Sequence, residues 1–232
     1  MTNISIKPGS VRIYKSAEKI VDWLRWADDD YIAGRQLLLG DLLVQGAGLS
    51  NTAIEKYLKT IFLIRRLPLP KVHDIPALVQ RLKKAGIALN LNQNFLALLF
   101  KLYKLRYPDE LKAGFRVAMD RTRLLTELDY SVFEIRKAFK IIGPFGPIGA
   151  TIEELLARGD RRLLEKNCYF GSEDRTKLFT ENSFRYAMRV LAPRNLVWAT
   201  YETFGVPDNR NFNVDFPVSP TGNKMDIRLP LE

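Results

Sequence analysis

The sequence predicts a mainly α-helical protein: an antiparallel helical bundle followed by a C-terminal extension that is α+β or irregular. Apolar residues recur at three- and four-residue steps in five segments before residue 142, the spacing of helices with one buried face. Glycines and prolines separate these segments. We therefore predict a helical bundle over residues 1–142 and an extension of short helices and a few strands or loops over residues 143–232.

The first two predicted helices follow from apolar spacing and capping residues. Ser16 could cap the first helix, whose apolar positions are Ile20, Trp23, Leu24, Ala27, Tyr31 and Ile32. Gly46 and Gly48 are expected to interrupt the helical pattern. The second helix follows these glycines; Thr52 and Glu55 have the spacing of a capping box, but nothing in the sequence fixes the start of the helix there. Among the consecutive aspartates 28–30 we expect at least one to be paired within the protein.

Three more helices complete the predicted bundle. Asp74 followed by Pro76 predicts the start of the third helix, and Gly86 predicts its end. The fourth has apolar or aromatic positions at Phe95, Leu98, Leu99, Leu102 and Tyr103. The fifth is predicted as a long amphipathic helix from about 122 to 142, with Leu124, Leu128, Val132, Ile135, Phe139 and Ile142 on its apolar face. Short connections between successive helices make them antiparallel.

The pattern changes after residue 149. We predict two short helices at about 151–166 and 180–191, and β-prone segments at about 196–204 and 212–218.

Composition excludes several classes of protein. The single cysteine, Cys168, cannot form a disulfide within the chain, and one histidine rules out a zinc site of Cys and His ligands. We expect no cofactor and no metal. The chain lacks an apolar run long enough to cross a membrane, and its first residues lack the order of a secretory signal. We therefore expect a cytoplasmic protein with no membrane partner.

Positive charge is concentrated in the first part of the chain. Residues 1–140 hold 24 Lys and Arg against 14 Asp and Glu, whereas residues 141–232 hold 12 of each. The whole net charge of +10 thus lies in the predicted bundle. A basic field of this size favours polyanions, so we predict a nucleic-acid or nucleotide partner.

Four motifs in that part of the chain carry a family resemblance. They are Trp23 with Ala27-Asp28, the run Ala53-Ile54-Glu55-Lys56-Tyr57-Leu58-Lys59, Pro70 with His73-Asp74-Ile75, and Arg106-Tyr107-Pro108. In this order and spacing they resemble the HEPN domain family over about residues 15–140. The resemblance implies an up-and-down helical bundle, a homodimer formed through helix faces, and a role in nucleotide or RNA transactions, often beside a nucleotidyltransferase partner.

Many HEPN proteins are metal-independent ribonucleases that use an Arg-x(4–6)-His motif at a helical dimer interface. Arg66 and His73 have this spacing, but Pro68 and Pro70 between them prevent the pair from sharing one helix face. Two imidazoles would require two protomers, because the chain has one histidine. The ribonuclease is therefore the alternative, with Arg66 and His73 as its catalytic residues, and non-catalytic binding is the first prediction.

Several basic residues are candidates for contacts to phosphate groups. We predict a nucleic-acid or phosphate-binding surface that draws on Lys56, Lys59, His73, Arg106, Arg116, Arg121 and Arg123. Arginine forks suit phosphate oxygens, which favours the last three, around the start of the fifth helix. A solvated helix face is the competing explanation for Lys56 and Lys59. A further basic face could form from Asn182, Arg185, Arg189 and Arg194, against nearby acidic residues.

Three functions remain open at this point. The first is a HEPN-like module that binds nucleic acid or nucleotides without catalysis. The second is the HEPN-like ribonuclease. The third is an assembly protein in which the helix from about 122 to 142 forms a dimer seam.

Overall fold

The computed structural model describes residues 8–107, 111–139, 142–143, 146–147, 151–192, 195–206 and 208. Its helices are α1 (Pro8–Leu39), α2 (Leu43–Ile64), α3 (Ile75–Lys84), α4 (Gln93–Tyr103), α5 (Arg121–Arg136), α6 (Thr151–Ala157), α7 (Arg161–Leu164) and α8 (Arg175–Thr180), with a 3₁₀ turn at Lys104–Arg106. Its strands are β1 (Arg116–Asp120), β2 (Ile142–Gly143), β3 (Gly146–Pro147), β4 (Asn182–Ala192) and β5 (Asn195–Phe204). The predicted fold class is confirmed: the protein is mainly helical, with a small antiparallel sheet near its C-terminal end.

The long hairpin of α1 and α2 differs from the prediction at its ends. Because α1 begins at Pro8, Ser16 lies inside this helix and does not cap it. Gly46 and Gly48 also lie within a helix, since α2 begins at Leu43. A Cβ atom on Gly46 would come within 2.7 Å of two side-chain atoms of Leu38, so glycine is what lets α1 and α2 pack this closely. The capping box at Thr52 is likewise wrong, because its hydroxyl donates to the Gly48 carbonyl inside α2.

The third and fourth helices follow their local signals. Oδ1 of Asp74 accepts a 2.9 Å hydrogen bond from the backbone N–H of Ala77 and caps α3. Gly86, just past the end of α3, has a φ of +81°, which glycine adopts without strain. Asn92 caps α4 in the same manner as Asp74 caps α3, with its side chain accepting from two backbone N–H groups.

Helix α5 is largely buried and packs against α1, α2 and the sheet. It ends at Arg136, short of the predicted end near residue 142, and Ile142 belongs to strand β2. Every residue from Thr122 to Asp129 is buried, including Thr126, Glu127 and Asp129. The helix therefore lacks the solvent-facing side predicted for an amphipathic helix. Because its own chain encloses it, α5 does not offer the proposed dimer seam.

The sheet is antiparallel, with strand order β1-β4-β5. The helix predicted at 180–191 is wrong: α8 ends at Thr180 and the segment from Asn182 to Ala192 is β4. Pairing with β1 on one side and β5 on the other decides this conformation, because strand preference depends on neighbouring strands. Strand β5 confirms the β-prone segment at 196–204. The second such segment, 212–218, lies outside the described residues, and a division of the chain at residue 142 stays a prediction.

One face of this sheet closes the hydrophobic core of the bundle. Side chains alternate between the two faces along each strand. Val117, Met119 and Met188 belong to the core, and Phe184 and Tyr186 pack against it. The residues between them in sequence therefore project from the opposite face of β1 and β4.

Candidate nucleic-acid interface

The cations predicted on α2 are held by acidic side chains. Nζ of Lys59 lies 2.8 Å from Oε1 of Glu55, and this lysine is buried. The same carboxylate oxygen lies 2.9 Å from Nδ1 of His73. Lys56 is partly buried and places Nζ 2.7 Å from Oδ2 of Asp30. Lys56 and Lys59 thus already have anionic partners within the protein, which weakens the case for them as phosphate ligands.

Arg66 and His73 lie at the two ends of an extended segment that connects α2 and α3. Arg66 follows the last turn of α2 with a φ of +54°, and both residues are exposed. No hydrogen bond or ion pair joins the two residues in the part of the chain that the structure describes. As the prolines between them predict, they do not share a helix face.

Arg106 lies in the 3₁₀ turn after α4. Its guanidinium carbon is 4.8 Å from the centre of the Tyr103 ring, and the arginine is exposed to solvent. This stacking orients the guanidinium against a ring and leaves it accessible.

The two arginines at the start of α5 have different surroundings. Arg121 donates to Oδ1 of Asp41 at 2.7 Å and to the carbonyl of Asn182 at 2.8 Å, so it connects the α1–α2 turn to β4. Arg123 is only 4% exposed. The pKa of its guanidinium is lowered, mainly because the group is buried. The neighbouring charge of Arg185 also lowers this pKa, and the carboxylate of Asp120 opposes the shift.

The outer side of the sheet carries a cluster that we call the arginine face. It consists of Arg116, Arg185 and Arg189 together with Ala118, Ala187 and Tyr201. Arg116 of β1 is directly opposite Arg189 of β4 in the antiparallel register, and both are exposed. Like charges at directly opposite positions destabilise a sheet, because their Cβ atoms lie only about 5 Å apart.

Strand register places a third arginine two rows further along the same face. Arg185 of β4 is opposite Asp120 of β1 on one side and Tyr201 of β5 on the other. Its Nε lies 3.2 Å from Oδ2 of Asp120, so one carboxylate partly neutralises the positive charge at this end of the face. Between the two charged rows, the register places only Ala118 and Ala187 on β1 and β4. On β1 and β4, no long side chain therefore stands between the two rows of arginines.

The sequence had indicated part of this cluster. Arg185 and Arg189 were candidates for a basic face on a helix, and residues four apart share a face in a strand as well as in a helix. Their basic face therefore survives the change from helix to strand. What sequence patterns could not indicate is their position beside Arg116, because strand register joins parts of the chain that are far apart in sequence.

Two buried polar clusters connect the helices behind the sheet. Asp129 of α5 pairs with Arg35 and accepts a 2.7 Å hydrogen bond from the Tyr31 hydroxyl, both on α1. Asp28 of α1 pairs with Arg136, and together with the pair of Asp30 and Lys56 this confirms that at least one of the three consecutive aspartates is paired. These groups are enclosed and mutually satisfied, so their arrangement stabilises the bundle and does not form an open site.

Fold and site together define a helical-bundle protein with a cationic sheet surface attached to its core. Residues 20–131, from α1 into α5, match the HEPN domain, which confirms the predicted resemblance. Neither a curated protein nor a solved structure matches the chain. The HEPN match ends before β4 and β5, so two of the three strands that form the arginine face lie outside the matched residues.

Two further properties concern the environment of the protein. None of the helices in the described ranges is both long and apolar enough to pass through a membrane. Over the same ranges, no three His, Cys, Asp or Glu side chains come together as a group that could hold a metal ion.

Proposed function

We propose that this HEPN-domain protein binds nucleic acid through the arginine face of its sheet, and that this binding is not catalytic. The observation that carries the proposal is the cross-strand pair of exposed arginines, Arg116 and Arg189. Arginine presents a planar fork of donors that matches phosphate oxygens. Two such forks on adjacent strands, with Arg185 on the same face, can contact more than one phosphate group of a polyanion.

The charge of the whole protein supports the same conclusion. A net charge of +10 attracts a polyanion over a distance and releases counterions when phosphates are neutralised. A free nucleotide has the same phosphate chemistry, but it would use only part of a surface that spans two rows of arginines. A longer nucleic acid therefore suits the arginine face better than a mononucleotide does.

Oligonucleotide binding by the purified protein tests this proposal. We expect the double variant Arg116→Ala/Arg189→Ala to bind a labelled oligonucleotide at least about tenfold more weakly than the wild-type protein. The matched control is Arg25→Ala, which removes an exposed arginine from α1 and should leave affinity unchanged. Equal affinity of the wild-type protein and the double variant would contradict the proposal.

The ribonuclease alternative is favoured by one contact. Nδ1 of His73 lies 2.9 Å from a carboxylate oxygen of Glu55, and the His73 side chain is 64% exposed. A carboxylate that orients one ring nitrogen leaves the other nitrogen able to exchange a proton with RNA. Arg66 would then stabilise the negative charge that develops on the phosphate, with a second protomer supplying a second imidazole.

Cleavage of RNA in the presence of a chelator distinguishes this alternative. If it holds, His73→Ala loses at least about 100-fold of the cleavage rate, because general acid–base catalysis contributes about that much. Glu55→Gln should lower the rate less, and Arg25→Ala should not change it. An intact wild-type protein that leaves RNA uncut would eliminate the ribonuclease.

The HEPN match supports a proposal about the partner of this protein. A HEPN-superfamily role includes action beside a nucleotidyltransferase, and we propose such a protein as the partner of this chain. Homodimerisation also stays a prediction. It requires a surface other than α5, because the protomer buries that helix.

A further inference from the structure

The arginine face also carries an aromatic ring at its edge. Tyr201 of β5 is the cross-strand neighbour of Arg185, and its side chain remains 38% exposed. An aromatic ring beside an arginine can stack with a nucleobase while the guanidinium contacts the adjoining phosphate. The face therefore combines the two kinds of group that bind the two parts of a nucleotide.

We propose that the nucleic acid on the arginine face is single-stranded, with one of its bases stacked on Tyr201 and its phosphates at Arg116, Arg185 and Arg189. This inference rests on the proposed function and names the ligand class of the same site. A duplex keeps its bases inside the stack, so it can offer the face only phosphates. A single strand offers phosphates and free base surfaces together.

The spacing of the two arginine rows suits a flexible single-stranded nucleic acid. Between the rows of arginines the register places Ala118, Ala187 and Ala199, so backbone and short side chains separate the two rows. Rows four residues apart along a strand are about 13 Å apart. A single strand can bend to place phosphates two nucleotides apart at the two rows, whereas a duplex presents phosphates in a fixed helical arrangement.

The opposite face of β5 provides a matched control. Phe204 is on the same strand and is 86% exposed, but it projects from the face that lacks the arginines. If exposure alone decided which ring binds a base, Phe204 would contribute more to binding than Tyr201. Specific stacking beside arginine makes Tyr201 the more important.

The experiment compares affinities for two probes, a single-stranded oligouridine and an RNA duplex of the same length. We expect wild-type protein to bind the single strand about 5- to 150-fold more tightly than the duplex, the range that corresponds to one stacked base. Tyr201→Ala should remove most of this preference. Tyr201→Phe should keep it, because the ring persists, and Phe204→Ala should leave it unchanged.

Each other outcome has a definite meaning. Equal affinity for both probes, with Tyr201→Ala unchanged, overturns the single-strand inference while the proposed function stands. An equal loss in Phe204→Ala and Tyr201→Ala overturns it as well, because stacking would then not be specific to the arginine face. Absence of binding to either probe overturns the proposed function itself.

Discussion

The hydroxyl group of Tyr57 on α2 donates a 2.6 Å hydrogen bond to Oδ1 of Asp28 on α1, and both side chains are buried. Oδ2 of the same carboxylate accepts a 3.1 Å hydrogen bond from the backbone N–H of Ile152, at the start of α6. Arg136 of α5 completes its set of partners. Asp28 therefore holds four helices together. Burial raises the pKa of its carboxyl from 3.8 to about 6, although Arg136 and the hydrogen bonds oppose the shift.

This raised pKa predicts that the stability of the protein depends on pH. As pH rises from about 3.8 to about 6, the unfolded chain loses the proton of Asp28 while the folded protein retains it. The free energy of unfolding contributed by this group therefore falls across that window, by about 3 kcal/mol in total. Above the window the contribution stays constant at its lower value.

The variant Asp28→Asn tests this dependence, because asparagine does not titrate. Urea unfolding of both proteins from about pH 4 to about pH 7 gives the difference between their unfolding free energies. We expect the wild-type value minus the variant value to fall by about 2.4 kcal/mol over that range, because part of the total change occurs below pH 4. A difference that stays constant with pH would show that Asp28 does not have a raised pKa.

The close packing of α1 and α2 predicts opposite effects for two glycines on α2. Gly46→Ala should destabilise the protein by about 1–3 kcal/mol, because its new methyl group would overlap the Leu38 side chain. Gly48→Ala places a methyl group where no atom lies within 4 Å, so it should stabilise the helix by up to about 1 kcal/mol. Thermal unfolding measures both changes. The packing argument fails if the two variants shift in the same direction.

The pair of Arg35 and Asp129 predicts a strong effect of removing one buried charge. Arg35→Met leaves the Asp129 carboxylate buried without its cation, which should cost about 3–5 kcal/mol. Adding Asp129→Asn removes the orphaned charge and should recover at least about 1 kcal/mol of that loss. Denaturant unfolding of the two variants provides the comparison. If Arg35→Met is as stable as the wild-type protein, the pair does not hold α1 against α5.

The arginine face predicts a specific change in salt dependence. Each phosphate contact to a single strand contributes about 0.7 to the slope of log affinity against log salt concentration. Arg116→Ala/Arg189→Ala should therefore reduce the magnitude of that slope by about 1.4. Titrations of an oligonucleotide at several salt concentrations give the slope. An unchanged slope would mean that these arginines do not contact phosphates, whatever the change in affinity.

Elements with strong local signals could be predicted closely from the sequence. The start of α3 follows from Asp74 and Pro76, and its end from Gly86, because capping and backbone preference act between neighbouring residues. The same local rules misread Gly46 as the end of a helical segment. Its physical role is to allow contact with Leu38, which belongs to another helix.

The candidate site divides in the same way. The sequence predicts Arg116 as a phosphate ligand and Arg185 and Arg189 as part of a basic face, and the phosphate contacts themselves stay a prediction. The sequence does not distinguish Lys56 and Lys59 from these arginines, because the carboxylates that pair with the two lysines are recognisable only in the folded chain.

The helical bundle and the excess of basic residues can be predicted from periodicity and composition, and the HEPN resemblance from short motifs, because all of these are read along the chain. The strand after α8 and the position of Arg189 opposite Arg116 depend on the folded protein. The physical reason is that strand pairing is stabilised by hydrogen bonds and side-chain contacts between distant segments, which form only when the core brings them together.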